Sequence, residues 1–496
     1  MWANGDIFYG EFVGGVKEGK GHFESATGES YTGHYKHDMP WGLGEFTYID
    51  GNKYTGQFVG KLRHGIGEYT YPNEDVFIGQ FANSMIHGCG LYTYGSGRTY
   101  TGKFWHNKRQ GCGELIQKNG TVYLGEFKDN KRTGLGEYKS SSGNLYCGNF
   151  QDGEFHGLGK LVYRNQIEYS GEFHLDKKWG KGKMMFPNGD LHIGEFVDDH
   201  ANGIGEYTSG TGNKYTGQFK NGLFDGIGEY RLANGDLYLG EFSQDKGCGL
   251  GCLVYENGDS CVGSFRNSMI SGTAEFNCTN GDFYIGNFHL DLYSGVGQLT
   301  YDNGDAYFGQ FTEDMKNGNG RYVTADGDVY VGGFYNGLFN GIGRSDLING
   351  DFYVGEFQEN LRNGKGEYSH VNGDWYIGGF FAGLMEGVGH YVYENGEICE
   401  GEFRMDRYIG EICTSPSRFK GKSGMNETMA STNFTYNGGL KTNYTFHTID
   451  GDYSDGWDSE VKTKRSGFYV NKDKDKGSPF GNVSLTPTKV MERILE

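Results

Sequence analysis

Residues 54–69 read Tyr54-Thr-Gly56-Gln-Phe58-Val-Gly60-Lys-Leu-Arg-His64-Gly65-Ile-Gly67-Glu68-Tyr69, and this pattern dictates the architecture of the chain. Residues two apart share one face of a β-strand, so Tyr54, Gly56 and Phe58 lie together on a first strand, and Gly67 and Tyr69 on a second. A glycine in mid-strand is destabilising by about 0.5–1 kcal/mol relative to alanine. Its presence is explained if a neighbouring aromatic ring lies flat over the bare backbone.

The aromatic-flanked glycine recurs eighteen times at a constant interval of 23 residues. Phe follows it by two places except at Tyr35, and Tyr or Phe precedes it by two places except at His192, Cys261 and Cys399. Glycine also recurs eleven places later, except at Ala274 and Ile412, and nine places later without exception. The glycines nine and eighteen places after the marker, including Gly65, are predicted to close turns. The marker glycines are Gly10, Gly33, Gly56, Gly79, Gly102, Gly125, Gly148, Gly171, Gly194, Gly217, Gly240, Gly263, Gly286, Gly309, Gly332, Gly355, Gly378 and Gly401.

The repeat predicts an all-β fold, an elongated antiparallel β-meander of about 18 hairpins of 23 residues. Asn-Gly pairs such as Asn119-Gly120 and Asn188-Gly189 stand before the new strand, which is a strong hairpin signal. A lone hairpin is marginal in water, so each one must bury its aromatic face against its neighbours. About 36 strands at roughly 4.8 Å each would extend on the order of 170 Å as a solenoid-like twisted sheet.

Composition and charge narrow the class of function. The 496 residues include 89 Gly, 35 Phe and 37 Tyr but only 6 Pro, which excludes collagen and argues against disorder. A net charge of -19 opposes a nucleic-acid partner and disfavours an anionic membrane surface. Nine scattered cysteines, an odd number, favour reduced thiols, and without a signal peptide or long apolar run we expect a cytoplasmic protein.

These residues resemble the MORN repeat (membrane occupation and recognition nexus) over nearly every position from Ile7 to about Ile412. The resemblance implies an elongated β-meander used as a scaffold, often dimeric, in cytoskeletal, ciliary or membrane-apposed structures, and it does not imply an enzyme. Some family members carry a lipid kinase, a SET methyltransferase or a transmembrane anchor. We expect none here, since the 84 residues after Ile412 are too few for a kinase.

Motifs that could carry chemistry are weak, and we predict no catalytic residue, cofactor or metal. Gly-x-Gly pairs such as Gly65-Ile-Gly67 lack the helix that a dinucleotide site needs. His64, His87 and His156 fall in separate repeats, where turn hydrogen bonding is the favoured role and a metal site the alternative. Two further alternatives stay open, a zinc site and a rim of turn aspartates that attracts Ca²⁺ or a basic partner. The zinc site would use Cys248, Cys252 and Cys261, and the aspartates are Asp190, Asp236, Asp259, Asp282, Asp305, Asp328, Asp351 and Asp374.

One and three places before the marker glycine, the face opposite the rings becomes apolar in five consecutive repeats. A stripe of this size usually marks an interface, although it could also be buried by curling of the sheet. We predict partner binding there, including a homodimer. The stripe consists of Phe283, Ile285, Ala306, Phe308, Val329, Val331, Phe352, Val354, Trp375 and Ile377.

The repeats are predicted to end at residue 412, and residues 413–496 form a non-repeat tail that is partly flexible. Nearly all the acidity belongs to the repeats, because the tail contains 12 basic and 10 acidic residues. Residues 486–496 could form a short helix with Thr486 as N-cap and Pro487 at the first helical position. Its apolar side suits docking to a partner and comprises Val490, Met491, Ile494 and Leu495.

The sequence therefore predicts a non-enzymatic scaffold that assembles proteins in a cytoskeletal structure, and by family analogy a ciliary or flagellar axoneme. The alternative is a membrane–cytoskeleton tether that binds phosphoinositide lipids, which the net acidity disfavours. A regulator of a phosphatidylinositol phosphate kinase is the remaining rival.

Overall fold

The computed structural model describes residues 2–410 and 412–414, and all regular structure in them is β-strand. The strands are β1 Ile7–Val13, β2 Val16–Glu24, β3 Ser30–Lys36, β4 Met39–Thr47, β5 Lys53–Val59, β6 Leu62–Thr70, β7 Val76–Ala82, β8 Met85–Thr93, β9 Thr99–Trp105, β10 Lys108–Ile116, β11 Val122–Lys128, β12 Lys131–Lys139, β13 Leu145–Gln151, β14 Glu154–Val162, β15 Glu168–His174, β16 Lys177–Met185, β17 Leu191–Val197, β18 His200–Thr208, β19 Lys214–Lys220, β20 Leu223–Arg231, β21 Leu237–Ser243, β22 Lys246–Val254, β23 Ser260–Arg266, β24 Met269–Asn277, β25 Phe283–His289, β26 Leu292–Thr300, β27 Ala306–Thr312, β28 Met315–Val323, β29 Val329–Tyr335, β30 Leu338–Asp346, β31 Phe352–Gln358, β32 Leu361–Ser369, β33 Trp375–Phe381, β34 Leu384–Val392, β35 Ile398–Arg404 and β36 Arg407–Tyr408.

The strands fall into two compact units, which divide after Asp302. In the first unit β1–β26 pair antiparallel in sequence order, and in the second β27–β36 do the same. The predicted all-β meander of eighteen consecutive hairpins is confirmed. The predicted boundary between repeats and tail at residue 412 stays a prediction, because most of the tail lies outside the described residues.

An aromatic ring covers each pair of facing glycines, as predicted. Gly56 pairs with Gly67 across the hairpin, and a Cβ placed on either would lie 2.5 Å from the Tyr54 ring or its hydroxyl. Tyr54 is fully buried and meets Phe58 of its own hairpin edge-on at 5.0 Å between ring centres. It meets Phe81 of the next hairpin at the same distance. Repeated contacts of this kind form an aromatic core on one face of each unit, interrupted at Cys261 in the first. We call this face the ring face.

The tyrosine hydroxyl fixes the ring in place. The Oη of Tyr54 donates to the main-chain oxygen of Gln57 at 2.9 Å. All thirteen tyrosines in this column make the same bond, to the oxygen three residues further along. Burial raises the pKa of Tyr54 to about 12, so the hydroxyl remains protonated and able to donate. The core therefore contains no unsatisfied phenol at these positions.

A second set of side chains packs against the rings from the returning strand. The guanidinium of Arg63 lies 4.4 Å from the centre of the Tyr69 ring. In the corresponding place Phe155 stacks flat on Tyr146, with 3.8 Å between ring centres. Lys178 is also in this set, and its buried Nζ lies 3.1 Å from Asp199 and 3.1 Å from the Tyr163 hydroxyl. Because each cation has both a ring and a polar partner, the ring face can hold it.

Gly65 corrects one prediction, because it lies within β6 and not in a turn. Its φ of +60° coincides with a register shift between Gly56 and Gln57 on the partner strand, which is a β-bulge. The side-chain amide oxygen of Gln57 occupies the space where a Cβ would stand, and it accepts from the main-chain N–H of Ile66 at 3.2 Å. The glycine is required here by both its backbone conformation and the space beside it.

The turn within each hairpin has two residues and no obligatory glycine. Asn83 and Ser84 join β7 to β8 with φ of +50° and +64°, as a type I′ turn requires. In many repeats the turn between hairpins is the predicted Asn-Gly loop. In one example Gly189, at φ +91°, donates its N–H to the oxygen of Phe186 at 3.0 Å.

Both rows of turns are tied to the neighbouring repeat by side chains. Asn107 accepts the N–H of Ile86 on Oδ1 at 2.8 Å, and its own N–H donates to the Ile86 oxygen at 3.0 Å. On the opposite rim Asp75 accepts the N–H of Gly95 at 2.8 Å and the hydroxyl of Tyr92 at 2.9 Å. These bonds connect residues 17 to 21 apart, so they join consecutive hairpins and hold the repeat length at 23.

In the repeat that lacks its tyrosine ring, one of the two facing glycines is also replaced. Cys261 replaces the tyrosine of its repeat, and Ala274 stands in place of the glycine that faces Gly263. We expect Cys261→Tyr alone to destabilise the protein by about 1–3 kcal/mol, because the new ring meets the Ala274 methyl group. Adding Ala274→Gly reverses this loss, whereas Ala274→Gly alone costs about 0.5–1 kcal/mol. Chemical unfolding followed by circular dichroism measures all three variants. If Ala274→Gly lowers the stability both in the unmodified protein and in the Cys261→Tyr variant, the two positions are not coupled.

His192 occupies the tyrosine column and makes the stability depend on pH. It is buried against Phe196 and Phe219, its Nε2 has no hydrogen-bond partner, and burial lowers its pKa to about 4. The unfolded state therefore binds the proton first, and stability is lost as the pH falls from about 6.5 towards 4, by about 3 kcal/mol at most. Phe77 fills the same place without titrating, so His192→Phe is the matched control. Unfolding midpoints at pH 7 and pH 4.5 should fall further in the unmodified protein than in this variant, and equal falls would disprove the assignment.

Candidate functional site

The face opposite the rings, which we call the open face, contains the residues with no role in the aromatic core. Its side chains come from one and three places before each marker glycine and from ten and twelve places after it, since strand residues alternate between faces. Thr55 before Gly56 and Ile66 before Gly67 are examples, and both are exposed. A candidate binding surface must be sought here.

The predicted apolar stripe lies on the open face. In the second unit Phe308, Val331 and Trp375 are exposed, and the remainder, Ala306, Val329, Phe352, Val354 and Ile377, are half-buried. Phe283 and Ile285 belong to the first unit, where Phe283 is half-buried and Ile285 exposed. The stripe is therefore described as contiguous only within the second unit, over residues 306–377.

Arginine interrupts the apolar stripe, which the sequence did not predict. Val331 pairs across the strands with Arg344, whose guanidinium lies 4.6 Å from the centre of the Phe352 ring. Two hydrogen bonds of 2.8 and 2.9 Å join Arg344 Nε to Asp346. The stripe thus combines aromatic side chains with an ordered ion pair, a composition common at protein interfaces.

A second apolar row was missed from the sequence. The residue between the two glycines of Gly-x-Gly projects from the open face, where neither neighbour has a side chain to shield it. In nine repeats this residue is an exposed aliphatic, and in others it is polar or a cysteine, as at Lys20, Cys89 and Lys181. The exposed aliphatics are Leu43, Ile66, Leu135, Leu158, Ile204, Leu250 and Val296 in the first unit and Ile342 and Val388 in the second. The pattern Gly65-Ile66-Gly67 contains this signal, but it is also similar to a nucleotide-binding motif.

Acidic residues run beside this apolar row. Glu45 and Glu68 stand two places beyond Leu43 and Ile66 and line the same shallow depression, which has a volume of about 890 Å³. Glu114, Glu137, Glu206 and Glu229 stand in the same column, which Leu91, Lys160 and Lys183 interrupt. At Glu45 and Glu68 this surface favours apolar side chains together with positive charge.

The turn aspartates have hydrogen-bonding roles that occupy their carboxylates. Asp351 accepts the N–H of Val371 and the hydroxyl of Tyr368, each at 2.9 Å. The bond from Val371 is the main cause that lowers the pKa of Asp351, and the carboxylate is buried. Among the described residues, no cluster of three or more His, Cys, Asp or Glu could hold a metal. The row therefore supports turn-to-turn bonding in place of a cation rim.

The cysteine and histidine candidates do not converge. Cys252 pairs with Val262 and Leu253 with Cys261, so Cys252 and Cys261 project from opposite faces of the sheet. Among the predicted histidines, His87 packs on Trp105 with 4.4 Å between ring centres. His156 lies 5.2 Å from His174. Both histidines lie within strands, His87 in β8 and His156 in β14, so the prediction that they bond within turns is wrong for this pair.

The expectation of reduced thiols throughout is also wrong for one pair. Cys399 and Cys413 form a disulfide, with 4.3 Å between their Cα atoms. A bridge between Ile398 and Thr414, with N–H···O bonds of 3.0 and 2.8 Å, brings the two cysteines together. The other seven cysteines are free.

The chain belongs to the MORN repeat family. The family pattern matches sixteen segments, at residues 8–30, 31–53, 54–76, 77–97, 100–122, 123–145, 146–167, 169–191, 192–214, 215–237, 238–260, 284–306, 307–329, 330–352, 353–375 and 376–398. The two unmatched hairpins are those in which Cys261 and Cys399 replace the ring. This result confirms the resemblance and identifies the protein as a repeat protein of a scaffold family.

Other comparisons add little. No curated protein matches the chain. Among solved structures, the SAS-4 (dCPAP) TCP domain of Drosophila melanogaster, in complex with a proline-rich motif of Ana2, is 17% identical. That match covers 36% of this chain and 90% of that one, with a TM-score of 0.22. The TCP10 domain of Danio rerio CPAP (E1021V mutant) is 10% identical over 44% of this chain and 92% of that one, with a TM-score of 0.16. Scores this low carry no argument about fold or function.

No helix that could cross a membrane occurs in residues 2–410 and 412–414.

Proposed function

We propose that the protein is a non-enzymatic scaffold that assembles other proteins on the open face of its sheet. The observation that supports this most is the difference between the two faces of the sheet. The rings, glycines and hydroxyls of the ring face are all used in the core, whereas the open face exposes rows of aliphatic and aromatic side chains to solvent. Exposed apolar rows on this scale favour protein binding.

The stripe of the second unit is proposed as a self-association surface. Phe308, Val331 and Trp375 supply exposed apolar area, and the Arg344–Asp346 ion pair supplies fixed polar groups within it. A second copy would present the same combination, as an isologous interface requires.

Charge substitution within the stripe tests the homodimer. We expect Phe352→Glu with Trp375→Glu to reduce the mass measured by light scattering from dimer to monomer, because two buried carboxylates would face an apolar interface. Circular dichroism should be unchanged. Asn319→Glu, at an exposed position on the same face outside the stripe, is the matched control and should leave the mass unaltered. A mass that stays the same in the double variant removes this stripe as the self-association surface.

The proposed cellular setting is a cytoplasmic, cytoskeletal assembly, in particular the axoneme of a cilium or flagellum. Family membership supports this by association only, since repeats of one fold serve many structures. Proximity labelling by the tagged chain in ciliated cells tests it. Labelling of axonemal proteins is expected, whereas labelling confined to plasma-membrane proteins would favour the membrane–cytoskeleton tether.

Binding to lipid vesicles distinguishes the scaffold from the tether directly. The acidic row of the open face, including Glu45 and Glu68, should repel anionic headgroups. We therefore expect the protein to remain in the supernatant when phosphoinositide vesicles are sedimented at 50 mM and 200 mM salt. Vesicles of neutral lipid are the control. Sedimentation with the phosphoinositide vesicles alone, relieved by salt, would overturn the scaffold assignment in favour of the tether.

A further inference from the structure

Two histidines stand opposite each other on neighbouring hairpins. Gly157 faces Phe173 across β14 and β15, so one step further along these strands His156 faces His174. Phe173 is buried on the ring face, and successive strand residues project to opposite sides, so His174 projects from the open face. Directly opposite residues of antiparallel strands share a face, and the centres of the two imidazole rings lie 5.2 Å apart.

Both imidazole rings are accessible to a ligand. His174 is exposed and His156 is half-buried. Within the part of the chain that the structure describes, no hydrogen bond or ion pair engages either ring. The nitrogens of both rings are therefore available. Sequence reasoning considered His156 but not His174, because His174 belongs to a different column of the repeat.

The repeat shows that this juxtaposition is specific to one place. At each junction between hairpins of one unit, the residue eight places after a marker glycine faces the residue three places after the next marker. Trp41 faces Val59 in this way, and His87 is placed opposite Trp105. Among the described residues, the junction between β14 and β15 alone has histidine in both columns. The other junctions therefore serve as internal controls.

We propose that His156 and His174 bind a divalent transition-metal ion, a property that does not depend on the scaffold function. Cu²⁺, Ni²⁺ and Zn²⁺ accept imidazole nitrogen, with Cu²⁺ the tightest, whereas Mg²⁺ and Ca²⁺ prefer oxygen ligands. Metal–nitrogen bonds of about 2.0–2.1 Å require the two nitrogens to come within roughly 4.2 Å of each other. Rings with centres 5.2 Å apart meet this requirement through side-chain rotation.

Two imidazoles leave the other coordination positions of the ion to water. The site therefore differs from a closed cluster of three or more ligands, which the described residues do not contain. The chelate nevertheless gains from preorganisation, because the sheet holds both side chains in place before the ion arrives.

The charges around the pair favour a cation. Glu172 lies two places before His174 on the same face, where its Oε1 accepts the N–H of Lys181 at 3.3 Å. Lys177 stands opposite His174 on the other side, and its ammonium is paired with Asp198 at 2.8 Å. The net charge of -19 also raises the concentration of cations near the surface.

A bound ion would add a link between two successive hairpins. β14 ends one repeat and β15 begins the next, and a side chain already joins the same hairpins, since Asp176 Oδ1 accepts the N–H of Phe155 at 2.7 Å. Because the ion binds only when both histidines are in register, it stabilises the closed junction by mass action.

Titration of the full chain with CuCl₂ tests the proposal. The exposed thiols of Cys89, Cys112 and Cys147 are first blocked with N-ethylmaleimide, because thiolates also bind copper. Trp179 reports on the site, since its ring centre lies 5.7 Å from that of His174. We expect a tight site that binds one Cu²⁺, a partial loss of tryptophan emission, and an electron paramagnetic resonance spectrum with two coordinated nitrogens.

Single substitutions assign the site. His156→Gln and His174→Gln should each weaken Cu²⁺ binding at least about ten-fold, because the chelate is lost. His87→Gln, in the same column as His156 but opposite Trp105, is the matched control and should leave the affinity unchanged. Trp179→Phe should abolish the loss of emission and keep the two-nitrogen spectrum. Circular dichroism should be the same for all four variants.

Three outcomes would overturn the proposal. The first is equal affinity in the unmodified protein and both glutamine variants at positions 156 and 174. The second is a spectrum with a single coordinated nitrogen at the tight site. The third is a rise in mass on addition of Cu²⁺, measured by light scattering, which would assign the two imidazoles to different copies. The scaffold proposal is tested separately, because the self-association variants are measured without metal.

Discussion

A tyrosine ring laid across two facing glycines is the interaction on which the rest of the structure depends. Tyr54 needs both Gly56 and Gly67, because a single methyl group on either would occupy the volume of the ring. The ring in turn removes from solvent a backbone that would otherwise be bare, and its hydroxyl satisfies the Gln57 oxygen. Cys261 and Ala274 show the same rule in reverse, since the glycine is dispensable where the ring is absent.

This constraint also divides each unit into a structural face and a face that is available for other roles. Every side chain that packs on a ring projects to one side, so the other side is left to residues that the fold does not need. That freedom is visible in the open face, where Ile66, Glu68 and Thr55 follow no single chemistry. Side-chain chemistry can vary on this face from repeat to repeat, whereas the ring face keeps its rings and glycines in all but a few repeats.

Much of the fold was predictable from the sequence, because alternation of period two and a fixed 23-residue step leave few alternatives to stacked hairpins. Tyr54 and Phe58 were placed correctly in the core. The bulge at Gly65 was not predicted, since a left-handed glycine in a strand and one in a turn look alike in sequence. The Asn83-Ser84 turn was missed because its residues adopt positive φ without glycine. For the candidate surface, the sequence predicted on which face the stripe lies. It did not predict the apolar row that includes Ile66, because the Gly-x-Gly pattern around Ile66 is also that of a nucleotide-binding loop. The Cys399–Cys413 pair depends on a bridge outside the regular register, which no periodicity could reveal.

Each ring contacts only its own hairpin and the neighbouring ones, so whole repeats can be added or removed. Tyr54 touches Phe58 of its own hairpin and Phe81 of the next. The side-chain hydrogen bonds of Asn107 and Asp75 likewise extend only to the adjacent repeat. Duplication or loss of one whole 23-residue module therefore leaves the same kinds of ring and turn contact at the new junction, and shifts the edge of the sheet by about 10 Å. The number of repeats can therefore set how far such a sheet extends.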